Sequence, residues 1–250
     1  MKIKNLFIYF LTLSFILFNI NYSCTKIFAQ SQSKDYYPIS YTKIYTEKEN
    51  SNRIINGIPI NITAKQDGTG VDVYVGNIGI DGLDRVEVKV RATGYSNSKT
   101  QVAYVIPVIG KTFSFDFPMI KANTTYYVDV TIYDGNQVKT KSGEANLVFS
   151  EQALSNANWN KGTFSTRAES LEYHFKKHGN EVNSSNLVYY LNKANDYRSE
   201  VINDINSNNI SKYKITNGTG NIPSKKYKNN YDYRFIILSN SGYDIFSFGK

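Results

Sequence analysis

The chain has 250 residues, a formal net charge of +8, one cysteine and two histidines. The cysteine is Cys24, which excludes a disulfide framework and leaves the rest of the chain without a thiolate zinc site or thiol nucleophile. Stability has to come from hydrophobic cores, and the length allows two modest domains of about 100 residues each.

In chain order, Lys2 and Lys4 precede an apolar run from Leu6 to Ile20, and a polar zone then reaches Ala29. That layout predicts a signal peptide over 1–29, cut after Ala29, and therefore a secreted, extracellular protein. Asn19 and Asn21 leave fewer than the roughly 20 apolar residues of a membrane span. Residues 30–52 read as a polar tether, able to add one edge strand.

A period of two begins near Ile58. Ile58, Ile60 and Ile62 alternate with polar neighbours, and so do Val71, Val73 and Val75, then Val86, Val88 and Val90. Further strands are expected over 102–106, 112–117, 126–133 and 138–149, with Asp134-Gly135 as a tight hairpin between the last two. Short strands with turn signals at this spacing predict an all-β antiparallel sandwich over 53–150. The pattern resembles the immunoglobulin-like and fibronectin type III-like modules of bacterial exported proteins, which makes a scaffold or a binder of a cell-envelope ligand the expected role of this half.

Residues 151–162 read as a linker that holds Trp159, the only tryptophan. Thr166 and Glu169 fit a capping box, and Gly179 reads as the stop of a helix over 167–178. Leu187, Leu191, Ala194, Val201 and Ile205 recur at helical steps, so a second helix is expected over 185–205. A closing hairpin over 231–248 turns at Asn240-Ser241-Gly242. Residues 163–250 thus predict a small α+β domain of two helices followed by an antiparallel sheet.

Between 206 and 234 stand Lys212, Lys214, Lys225, Lys226, Lys228 and Arg234, opposed by Asp232 alone. Tyrosines, Tyr227 among them, are interleaved with these cations. Such a segment suits a polyanion, by charge and by stacking on single-stranded bases. It also suits a solvated basic loop.

Both histidines, His174 and His178, lie on the first helix, one turn apart. At 100° per residue they share a side with Arg167 and Leu171, about 6 Å apart along the axis. Three chemistries fit this spacing. One is acid–base cleavage of a phosphodiester with Lys177, Arg167 and Arg234 as phosphate holders. Another is a zinc site, which wants a third ligand and has Phe175 where a metalloprotease needs Glu. The third is packing of two satisfied imidazoles.

The residues Gly162 to Thr166, then Ser170-Leu-Glu-Tyr-His-Phe-Lys-Lys-His-Gly179 with Glu181-Val, and the terminal Ser247-Phe-Gly-Lys250, resemble a C-terminal module of bacterial secreted and polymorphic-toxin proteins. The likeness runs from Trp159 to Lys250. Such modules are similar to the small metal-independent ribonucleases grouped around barnase, EndoU, certain colicins and RelE. The resemblance implies His174, His178 and Lys177 as the acid–base and phosphate group, with Arg234 and Ser247 lining the same cleft. Arg167, Lys212, Lys214, Lys225, Lys226 and Tyr227 are the expected substrate contacts. RNA is the implied partner and an immunity protein a second one, with no cofactor and no metal. The expected reaction is 2′-hydroxyl attack on the adjacent phosphate. The alternative is a secreted or cell-surface binding or adhesion protein without catalysis.

Overall fold

Strict alternation of buried valines with polar residues makes the first half of the chain a set of strands, as in the segment Arg85–Ala92, where Val86, Val88 and Val90 are wholly buried. The structure, a computed structural model, describes residues 35–42, 44–45, 58–76, 84–104, 110–218 and 222–250. The expected signal peptide and much of the tether lie outside the described residues.

Nine strands precede the first described helix: β1 (Ile39–Thr42), β2 (Ile44–Tyr45), β3 (Ile60–Ala64), β4 (Gly70–Gly76), β5 (Arg85–Ala92), β6 (Lys99–Tyr104), β7 (Gly110–Asp116), β8 (Asn123–Asp134) and β9 (Gln137–Val148). They form a five-stranded sheet in the order β1-β9-β8-β5-β6 and a four-stranded sheet in the order β2-β3-β4-β7. Every pairing is antiparallel. Two strands come from the tether. The Asp134-Gly135 turn closes the β8–β9 hairpin, with Gly135 at φ +52°.

The second half holds α1 (Glu151–Asn156), α2 (Arg167–His178), α3 (Leu187–Asn206), β10 (Tyr213–Asn217), β11 (Ser224–Asn229), β12 (Phe235–Ser239) and β13 (Ile245–Gly249). The four strands make an antiparallel sheet in that order. The expected linker therefore contains a helix, α1, whose first turn is satisfied by Ser150 accepting from the Ala153 N–H. The lysine-rich segment is not a loop: β10 and β11 take up most of it, and cross-strand pairing supplies the order that its Asn-, Gly- and Lys-rich composition lacks. Trp159 forms a parallel bridge to Ile245, so the 158–160 segment covers the outer edge of β13.

Directly opposed residues of an antiparallel sheet share a face, so the registers sort this sheet into two. One face carries Ile215, Tyr227, Ile236 and Phe248. It packs on α3, where the Tyr190 and Tyr197 rings lie 5.8 and 5.7 Å from Phe248. The other face carries Lys214 and Thr216, then Lys226 and Lys228, then Phe235 and Ile237, then Ser247 and Gly249. On the latter face α2 covers β13 and packs His178 against Phe235 of β12, while the part on β10 and β11 is open.

Residues 35–250 form one compact unit, and among the described residues the buried hydrophobic side chains other than Phe235 make one cluster. Asn186 caps α3 by accepting from Tyr189 and also donates to the Asp67 carbonyl in the β3–β4 turn. Glu172 on α2 accepts from the Ala122 N–H at 2.8 Å and from Lys121 at 2.9 Å, just before β8. Gly68 has φ +71°, and a Cβ there would stand 2.8 Å from Val188 on α3. Only glycine allows both that turn and that approach.

Candidate functional site

The helix α2 has the limits that its caps dictate. Thr166 accepts from the Glu169 N–H, and the Glu169 side chain accepts from the Thr166 N–H, a complete capping box. At the far end Gly179 is right-handed helical, at φ −56°, so it does not end the helix by a left-handed turn. The chain passes into a 3-10 turn at Asn180–Val182, and Asn183 takes the left-handed conformation instead, at φ 53°.

The two imidazoles stack, with centroids 6.1 Å apart and planes 11° from parallel. This is the spacing one helical turn imposes. Their surroundings differ. Ser247 on β13 lies 3.1 Å from His174 Nδ1. Trp159 packs edge-on at 6.0 Å behind the same ring, its indole N–H donating to Ser170. Burial, then the neighbouring His178 and Lys177, push the His174 imidazole down to about 4, so it is neutral at pH 7. His178 is only 8% exposed and its Nδ1 meets the Glu181 carboxylate at 2.8 Å. That contact places the Nδ1 proton against the carboxylate and leaves Nε2 as the second ring position. The backbone N–H of Lys250 holds the Glu181 carboxyl below the usual range, helped by the His178 hydrogen bond and opposed by burial. Gly249 makes this arrangement fit, since a Cβ there would reach the His178 ring at 2.8 Å.

A cavity of about 290 Å³ opens beside His174. Lys177 and Ser247 line it with His174, and Phe164, Tyr173 and Phe246 supply aromatic walls. The Phe164 and Tyr173 rings are 5.1 Å apart, and Tyr173 stands edge-on to His174 at 5.1 Å. Neutral imidazole, hydroxyl and ammonium thus meet in a pocket with flat apolar walls. That set can move a proton and hold an anionic group beside a ring-shaped ligand. Among the described residues no group of three or more His, Cys, Asp and Glu side chains is gathered as a metal site would require.

Of the expected catalytic residues, the structure gathers His174, Lys177 and Ser247 around the cavity. His178 stacks behind His174 and does not line it. Arg234 stands elsewhere. It directly precedes Phe235, so alternation sends it to the α3 side, where its guanidinium lies 4.3 Å over Tyr197. It pairs there with Asp232 at 2.6 Å and Glu200 at 3.2 Å and lines a different cavity.

Of the expected substrate contacts, Lys214 and Lys226 lie on the open face. Tyr227 faces α3, with its ring against Tyr213. Lys225 is exposed but shares the strand parity of Tyr227. Lys212 is tied to Asp204 at 2.6 Å, and Arg167 to Glu151 at 3.3 Å. Sequence reasoning counted Lys228 in the basic segment but left it out of the substrate contacts, and it missed Phe164, Tyr173, Phe246 and the role of Glu181. The Lys226-Tyr227-Lys228 alternation was the available signal for Lys228, once the segment is taken as a strand.

No protein-family model matches this sequence, and no curated protein matches it. Among the described residues no helix is long and apolar enough to cross a membrane.

Proposed function

We propose that the second half of this chain is a metal-independent ribonuclease of the toxin-module kind, exported and carried on a fibronectin type III-like scaffold. The observation that carries the reading is the His174 cavity, where a neutral imidazole, Ser247 and Lys177 converge beside aromatic walls. With Nδ1–H donated to Ser247, the His174 Nε2 lone pair takes the proton of the 2′-hydroxyl as that oxygen attacks phosphorus. The P–O5′ bond breaks, leaving a 2′,3′-cyclic phosphate. The Lys177 ammonium offsets the charge that builds on the phosphate and gives the departing 5′-oxygen its proton. His178 acts as a positioning residue: its ring backs His174, and Glu181 and Gly249 fix where that ring lies.

The scaffold part of the proposal rests on strand order. Taking β3, β4 and β7 as one sheet and β6, β5, β8 and β9 as the other matches the seven-stranded fibronectin type III arrangement, with β1 and β2 added at the edges. Tyr126 supports it, because its buried hydroxyl donates to the Phe117 carbonyl upstream, as in a tyrosine corner.

The competing reading is a binding protein without catalysis, and the shelter of His178 favours it. The test is incubation of the full chain with end-labelled single-stranded RNA in excess chelator, with analysis of the product ends. The proposal expects 2′,3′-cyclic phosphate termini and no cut at a position carrying a 2′-deoxy sugar. Intact RNA, or cleavage that the chelator removes, would overturn it.

A further inference from the structure

Three lysines gather on a strand face that carries no acid, and Lys177 on α2 stands near them, with Glu181 the acid whose field it shares. Lys214 on β10 stands directly opposite Lys228 on β11, and Lys226 lies two residues along on the same face. Like charges directly opposed across an antiparallel pair destabilise it. Among the described residues none of the three, nor Lys177, makes an ion pair. No acidic side chain shares this face of the four strands. Burial, then Lys228 and Lys177, hold the Lys226 ammonium below the usual lysine range, so the cations of β11 and α2 feel one another. The Lys226 ammonium lies 3.9 Å over the Phe235 ring, which packs perpendicular to the His178 ring at 5.3 Å. The basic row therefore runs up to the histidine helix.

Spacing and shape narrow the ligand. Lys226 and Lys228 are about 7 Å apart along their strand, at about 3.4 Å per residue. That is comparable to the step between phosphates in an extended single strand. The row ends at a cavity whose walls include Phe164 and Tyr173, with Lys177 at its lip, 5.9 Å from the Tyr173 ring. A polyanion without rings would use the lysines and leave those walls empty.

We infer that the open face of the β10–β13 sheet is a phosphate lane for single-stranded nucleic acid, with Lys214, Lys228, Lys226 and Lys177 along the backbone and one base stacked in the cavity against the wall that Phe164 and Tyr173 form. The inference deepens the proposed ribonuclease and rests on it for the choice of polymer. It replaces the expected basic loop with a sheet face: Lys228 joins the contacts, and Lys212, Lys225 and Tyr227 leave them.

The test uses the full chain bearing His174→Ala and a short fluorescent oligodeoxythymidylate, which lacks the 2′-hydroxyl that cleavage needs. Affinity is followed by anisotropy between about 50 and about 200 mM salt. Four phosphate contacts predict a slope of log affinity on log salt near −3, at about −0.7 per contact on a single strand. The Lys214→Gln, Lys226→Gln, Lys228→Gln combination is expected to bring the slope to about −1. Tyr173→Ala is expected to weaken binding by about five- to one-hundredfold with the slope unchanged. Lys89→Gln and Lys111→Gln, exposed on the β-sheets of the first half, are expected to change neither.

An unaltered slope in the triple variant, or an equal loss in the two controls, would overturn the lane. Inorganic polyphosphate competing as well as the oligonucleotide would overturn nucleic acid as the occupant. Cleavage of RNA by the unsubstituted chain is scored separately. Its absence with the binding pattern intact removes the ribonuclease and keeps the lane, and the reverse pattern removes the lane alone.

Discussion

The two faces of the β10–β13 sheet are made by alternate residues of the same four strands, yet they obey different rules. The face on α3 is aromatic and aliphatic: Ile236, Leu238 and Phe248 are fully or nearly fully buried, and Tyr190 donates to the Phe248 carbonyl at 2.6 Å. Arg234, on this side, is matched by two carboxylates. The opposite face keeps like charges together, leaves them without acids and ends at a desolvated imidazole. The closed face holds the sheet to the helix, while the open face carries a cost in stability that a polyanion would relieve. A one-residue change of strand parity would exchange those roles.

The largest effect belongs to the closed face. Phe248→Ala removes a ring that fills the gap between Tyr190 and Tyr197, and should cost about 3–5 kcal/mol in denaturant unfolding. A loss below about 1 kcal/mol would break the distinction between the faces.

Next comes pH, which reads the open face. The unfolded chain binds more protons than the folded one wherever the pH lies between the depressed His174 value, about 4, and the ordinary 6.5. The stability at stake is fully present above the ordinary value and is lost as pH falls through that window. It amounts to roughly 3 kcal/mol at most. Glu181 and Asp204, both held below the usual carboxylate range, add losses that begin only at lower pH. His174→Phe should therefore flatten the unfolding midpoint between neutral pH and pH 5, and an unchanged slope would show that His174 is not desolvated.

Gly249→Ala should follow, at about 1–3 kcal/mol, because the new methyl must push the His178 ring or the Phe235 ring aside. A shift of the His178 ring resonances would accompany it. The smallest effect is expected at Arg234. Its ion pairs are partly exposed, so Arg234→Gln should move stability by less than about 1 kcal/mol and affect cleavage far less than His174→Ala.

Much of this was legible from residues alone. Thr166 and Glu169 gave the start of α2, because a capping box depends on local chemistry that tertiary contacts do not override. The valine alternation gave the strands of the first half for the same reason, and the one-turn spacing of His174 and His178 gave their stack. What stayed hidden depended on partners distant in sequence. The strands β10 and β11 have weak intrinsic preference and exist through their cross-strand registers. Arg234 missed the cleft by parity, after Tyr233 turns the chain at φ 65°. The cavity's aromatic walls come from the loop before α2, from α2 and from β13, and no periodicity links those segments.

The central claim is that His174 does the chemistry of the open face. Its most direct measurement is the cleavage rate of single-stranded RNA in excess chelator by the full chain and by His174→Ala, at matched circular dichroism. The account predicts a loss of about 10²–10⁴ in rate for His174→Ala, the usual worth of a general base, and a smaller loss for His178→Ala. Equal rates with and without the His174 imidazole would contradict it.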